Sequence, residues 1–189
     1  NERNLPPEYY AELRRLWVHR PDLIRRFVEG EFGFQQEGRA VTPQWNDKIH
    51  LATGLIPVPR RELILLWDFG HNPTCIITQV TPMGGWHILE ALVGDGIGVE
   101  ELINEAVKPL LNAKYRGHPL RHIGDPAGKQ REQTSINRSA VLSLRNALGG
   151  TWRSGPVRIE ERIEPLRAVL SRASVVKVDR VKAAAVWHA

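Results

Sequence analysis

The sequence predicts an α/β protein built on a mixed sheet, an antiparallel meander joined by parallel strands and flanked by helices. Three observations carry that reading. The apolar runs LILLW, CIITQV and WHILEAL follow one another across turn residues, an order that predicts a three-stranded meander. A helix-periodic segment comes next, with Val99, Leu102, Ile103, Ala106, Val107, Leu110 and Leu111 on one face. It is followed by another strand-like run, LRHIG, and a crossover of the usual hand would lay that strand parallel to the first and beside it.

The elements divide between two segments. Residues 1–58 form a helical lead-in: a helix over 7–18, a second opening at Asp22 with Leu23, Ile24, Phe27 and Val28 at helical spacing before Gly30, and a turn-rich connection with scattered aromatics over 33–59. The main domain, 59–189, starts with the meander, the long helix and LRHIG. Thr134 or Ser135 then caps a helix that turns Ile136, Val141, Leu144 and Leu148 inward and stops at Gly149-Gly150. A helix over 159–170, a short strand VVKV and a helix from Val181 complete the chain, and no internal repeat is present. The opening on Asn1 and the close on Ala189 read as the ends of a fragment, with the domain truncated at its C-terminus.

Composition sets outer limits. A chain of 189 residues buries roughly 70% of its unfolded surface, enough for one core. No apolar stretch approaches the roughly 18 residues of a membrane span, and the N-terminus has no secretory pattern, so a cytoplasmic protein without a membrane partner is expected. The single cysteine, Cys75, lies in an apolar run and excludes a disulfide framework or a cysteine-based zinc site. A net charge of +5 favours an anionic partner such as nucleic acid.

The residues that carry chemistry are aspartates. Asp68 ends LILLW and Asp125 follows LRHIG, so two apolar strands each deliver a carboxylate. One such residue is ordinary strand-end punctuation. Two, with the order strand–helix–strand between them, place like charges at one sheet edge, where they repel unless a cation lies between them. Hard oxygen donors suit magnesium or manganese. Glu90, within WHILEAL, is a third candidate that faces either solvent or the metal edge. His71 either shapes the turn after Asp68 or reaches a water ligand or phosphate. Lys129, Arg131 and Arg138 flank the second aspartate and are candidate DNA phosphate contacts, each also readable as a solvated face. Asp179, after VVKV, reads as a helix N-cap. The DFG at 68–70 lacks the rest of a kinase signature, and the absence of G-x-x-x-x-G-K-[ST] excludes a phosphate-binding loop of that type.

These residues also carry a resemblance. The segments LWDFGHNPTCIITQV, WHILEAL and GDPAGKQREQTS resemble the C-terminal nuclease domain of bacteriophage terminase large subunits, a branch of the RNase H-like superfamily, and NLPPEYY with FVEGEFGF resembles the tail of the preceding motor domain. The resemblance implies an RNase H-like fold and an endonuclease that cuts concatemeric double-stranded DNA with two Mg2+ or Mn2+ ions held by Asp68 and Asp125. It implies as partners an ATPase motor domain on the same full-length chain, the small terminase subunit and the portal, and as location the host cytoplasm. The family's third metal-binding aspartate lies in a later helix that this chain does not reach. Two alternatives follow: a catalytically incomplete DNA- or portal-binding module, or another RNase H-like nuclease of resolvase or transposase type.

Overall fold

The computed structural model describes residues 7–16, 24, 28, 41–126, 139–172 and 175–187. Contacts divide the chain into Asn1–Pro43 and Gln44–Ala189. In the first unit, helix α1 (Pro7–Leu16) carries Glu8 in its first turn and Arg14 and Arg15 in its last, the charge order that the helix dipole favours. The second unit begins ahead of the 58/59 boundary that patterning suggests, because the connection itself supplies structure. Asn46 caps the short helix α2 (Asp47–His50), and β1 (Leu51–Ala52) pairs with the last strand of the sheet.

The meander forms as expected. In β2 (Leu63–Asp68), buried Leu63, Leu65 and Trp67 alternate with half-buried Ile64 and Leu66, the period of a strand whose two faces meet different surroundings. It pairs antiparallel with β3 (Thr74–Val80), which pairs antiparallel with β4 (Trp86–Val93) across an irregularity at Ile77/Thr78. The long helix, α3 (99–114), then leads into β5 (Leu120–Gly124), parallel to β2 and beside it. A π-helical turn, Ile103–Val107, interrupts α3 just before Pro109, whose ring would clash with the carbonyl four residues back in a regular α-helix.

Two strands escaped the sequence reading, β1 and β6 (Thr151–Ser154). The latter pairs parallel with β5 at the sheet edge. Between them α4 (Ala140–Leu148) starts from Ser139, whose hydroxyl accepts from Leu142 N, while Thr134, Ser135 and Ile136 lie outside the described residues. Gly149 ends it with φ at +71°. Helix α5 (Ile159–Leu170) has the expected bounds, and β7 (Val176–Asp179) and α6 (Ala184–Trp187) follow.

The strand order is β1-β7-β4-β3-β2-β5-β6, and the pairings make every strand but β3 run the same way. Its centre, a meander with the next strand added beside the first, is the RNase H-like arrangement. Each face has its own core. Leu63, Leu65, Trp67, Cys75 and Ile77 pack with α3 and α4 through Leu102, Ile103, Val107, Leu111 and Leu144. On the opposite face Ile88, Val176 and Val178 pack with Leu166, Val169 and Leu170 of α5. No described helix is long and apolar enough to cross a membrane.

Candidate functional site

Asp68 and Asp125 come together because their strands are in register. The last matched pair of β2 and β5 is Trp67 with Gly124, and each aspartate is the next residue. Side chains alternate between faces, so both leave on the side opposite the buried Trp67, the side on which α5 packs. Gly124 permits the approach: a Cβ there would lie 2.8 Å from the carbonyl oxygen of Trp67 and 2.8 Å from Cη2 of Trp152. Asp68 is exposed, and its Oδ1 accepts from Gly70 N at 3.1 Å, which folds the turn back over the strand end.

A cation from the chain itself reaches this pair. Arg162, on α5, donates from Nη2 to Asp125 Oδ2 at 2.9 Å and from Nε to the Pro156 carbonyl at 2.7 Å. Sequence reasoning missed Arg162, which sits among Glu160, Glu161 and Glu164 like one more residue of a solvated helix face. Only the fold brings it to the end of β5. With side chains 46% and 37% exposed, the ion pair contributes on the order of 0–1 kcal/mol and is readily exchanged.

The other candidates do not join them. Glu90 pairs in register with Ile77, on the face that packs against α3, and is buried there rather than turned to solvent or to the strand ends. Its Oε1 accepts from Tyr115 Oη and Lys114 Nζ, each at 3.1 Å. Burial first, and then the charge and hydrogen bond of Glu90, push the Tyr115 phenol up. Glu90 thus has a structural assignment, neutralised by Lys114 beneath the sheet. Asp179 is buried at the end of β7, level with the middle of β4. Its Oδ1 accepts from Val181 N and Lys182 N and its Oδ2 from Leu55 N, so it caps a turn and ties β1's outgoing chain to β7. Burial opposes the charge on Asp179, but these bonds and Lys182 outweigh it and hold the carboxyl below its ordinary range. His71 lies exposed in the turn after β2. Lys129, Arg131 and Arg138 fall outside the described residues.

Behind the pair lies a buried polar chain. His122, fully buried on β5, accepts from Trp67 Nε1 at Nδ1 over 3.1 Å and donates from Nε2 to the Gly149 carbonyl over 3.0 Å. Burial keeps the ring neutral, with its pKa pushed down to about 4. The chain fixes β2, β5 and the end of α4 together one turn of side chains beneath the aspartates.

In donor type the site fits a hard divalent cation, since two carboxylates leave adjacent strands on one face. In number it is spare: among the described residues no group of three or more His, Cys, Asp or Glu side chains could hold a metal ion.

No protein-family model matches the sequence, and no curated protein does. Solved structures do. The large terminase of a thermophilic bacteriophage superposes with a TM-score of 0.59 at 12% identity, over 78% of this chain and 36% of that one. The same protein in complex with ATP-γ-S gives 0.56 at 12% identity, over 92% and 42%. The chain thus spans about two fifths of the length of those terminases at most. At such identities the likeness is one of fold, and it agrees with the RNase H-like strand order.

Proposed function

We propose that this chain is the metal-dependent endonuclease domain of a DNA-packaging terminase, hydrolysing phosphodiester bonds of concatemeric double-stranded DNA with little sequence preference. The observation that carries the proposal is the side-by-side exit of Asp68 and Asp125 from parallel strands of an RNase H-like sheet. Asp68 and Asp125 would hold Mg2+ or Mn2+, which supplies an activated water and charge neutralisation at the leaving oxygen. The chain's own contribution is positional: the Trp67–His122 bond and the turn at Gly70 fix the two strand ends, and the net charge of +5 favours the DNA backbone. His71 contacts phosphate or a water ligand, and Lys129, Arg131 and Arg138 extend the backbone contact.

The same reading places the nuclease at 59–189 behind a lead-in, on a longer chain that also carries an ATPase motor, working in the host cytoplasm with the small terminase subunit and the portal. The likeness to large terminases supports it, and those proteins were solved with ADP and with ATP-γ-S. A second reading, a DNA- or portal-binding module of this fold without catalysis, is favoured by Arg162 lying on Asp125 and by the two-carboxylate set.

Cleavage of supercoiled plasmid by the chain in manganese, magnesium or EDTA, beside Asp68→Asn, separates the two readings. Nicking that needs the metal and disappears in the variant supports the nuclease. DNA binding without nicking in either metal supports the module.

A further inference from the structure

Arg162 and Arg153 share the face of the sheet that Asp68 and Asp125 use. Arg153 pairs in register with Ile123, two residues before Asp125, and Ile123 pairs with Leu66, two before Asp68. Alternation puts all of these on the face that packs against α5, from which Arg162 descends. Arg153 is exposed on the edge strand, and among the described residues it has no ion-pair partner. Between them the face is apolar and half-buried, with Ile64, Leu66 and Ile123. A strip of sheet with a cation on the edge strand, two carboxylates at the strand ends and a second cation on the flanking helix has the layout of a phosphate track.

Arg162 is suited to an exchange. The Pro156 carbonyl anchors it through Nε, while Nη1 has no partner among the described residues. Its bond to Asp125 is half-exposed, so an incoming phosphate can take the guanidinium at little cost.

We infer that Arg162 and Arg153 form a phosphate-binding subsite for the DNA backbone, and that Asp125 holds Arg162 in place until DNA arrives. The inference rests on the nuclease reading for the identity of the DNA ligand, but it concerns binding and is tested without metal. Binding of a fluorescent 30-base-pair duplex is titrated in EDTA over a range of salt, with thermal melts to show that each variant is folded. Arg162→Ala and Arg153→Ala are each expected to weaken binding severalfold and to lower the slope of log K against log salt by about 1. Asp125→Asn is expected to tighten binding severalfold, and the gain should vanish in the Asp125→Asn/Arg162→Ala double variant. Arg162→Lys keeps the charge but not the fork, and should recover the salt slope with only part of the affinity.

Unchanged affinity and slope in Arg162→Ala and Arg153→Ala would overturn the subsite. So would a gain in Asp125→Asn that persists without Arg162, since that is the loss of a repelling charge alone. Either result leaves the plasmid assay to judge the nuclease separately, and a chain that binds through these arginines without cutting keeps the subsite and loses the nuclease.

Discussion

The indole of Trp67 donates to His122 Nδ1 across 3.1 Å, between two neighbouring parallel strands and directly beneath the aspartate pair. Because Nδ1 accepts, the ring proton sits on Nε2, where the Gly149 carbonyl takes it. A second proton on His122 would abolish the bond from Trp67. The folded protein therefore holds this histidine neutral, with a pKa of about 4 against an ordinary 6.5.

That depression sets a pH dependence of stability. Between the two values the unfolded chain binds the proton and the folded one does not, so stability rises with pH across the window and is flat above it. About 3 kcal/mol should be lost as pH falls from 6.5 to 4, in addition to the losses from carboxylates. Urea denaturation across that range checks it: His122→Gln should start less stable at pH 7.5 and lack this increment. A wild-type curve parallel to the variant's would overturn the assignment.

Glu90 is predicted to matter for folding and not for cutting. Glu90→Ala strands the buried Tyr115 hydroxyl and releases the half-exposed Lys114 ammonium to solvent, and should cost about 1–3 kcal/mol. Cleavage per folded molecule, measured well below the melting temperature, should match the parent. A folded variant that cannot cut would return Glu90 to the active centre.

Asp179 makes the opposite contrast with Asp68, although each ends a strand. Asp179→Ala removes the acceptor of three backbone N–H groups and should cost about 3 kcal/mol or more. Its depressed pKa gives stability that is present above the ordinary carboxylate value and lost as pH falls through the folded one. Asp68→Asn, exposed and bonded among the described residues to Gly70 alone, should leave the melting temperature nearly unchanged while weakening manganese binding by calorimetry. If Asp179→Asn weakened manganese binding as much while remaining folded, Asp179 would be a ligand rather than a cap.

How much of this was legible in the sequence depends on the range of the interaction. The meander, α3 and the parallel return of β5 follow from local periodicity and crossover handedness, and those alone bring Asp68 and Asp125 together. Helix α5 was equally legible, because its apolar stripe is regular. Strand β6 was not: its four residues, TWRS, follow a double glycine and hold no hydrophobic run. Nor was the burial of Glu90, since its partners are the last residue of α3 and the one that caps it, 24 and 25 residues away, and strand alternation does not say which face a helix will cover. Arg162 lies 37 residues from Asp125 and is tied to it only by packing.

The last prediction concerns the residue that lets the two aspartates stand side by side. Gly124 has ordinary strand backbone, so its role is spatial: a methyl group there meets the Trp67 carbonyl oxygen and the Trp152 ring, each at 2.8 Å, and neither can withdraw easily. The carbonyl belongs to β2 itself, and Trp152 packs against Phe69 with ring centres 5.8 Å apart. Gly124→Ala must therefore push β5 away from β2 at the point where Asp125 leaves it, at a cost of about 1–3 kcal/mol. The expected result is a folded protein with a lower melting temperature and weaker manganese binding, although no carboxylate has been changed. Gly117→Ala is the control, because its φ of +85° strains any side chain while a methyl group there meets nothing within 4 Å, in the turn that precedes β5. It should lose stability as well but keep manganese affinity. Equal loss of affinity in both variants would mean that the pair answers to stability in general, and not to the spacing of β2 and β5 at Gly124.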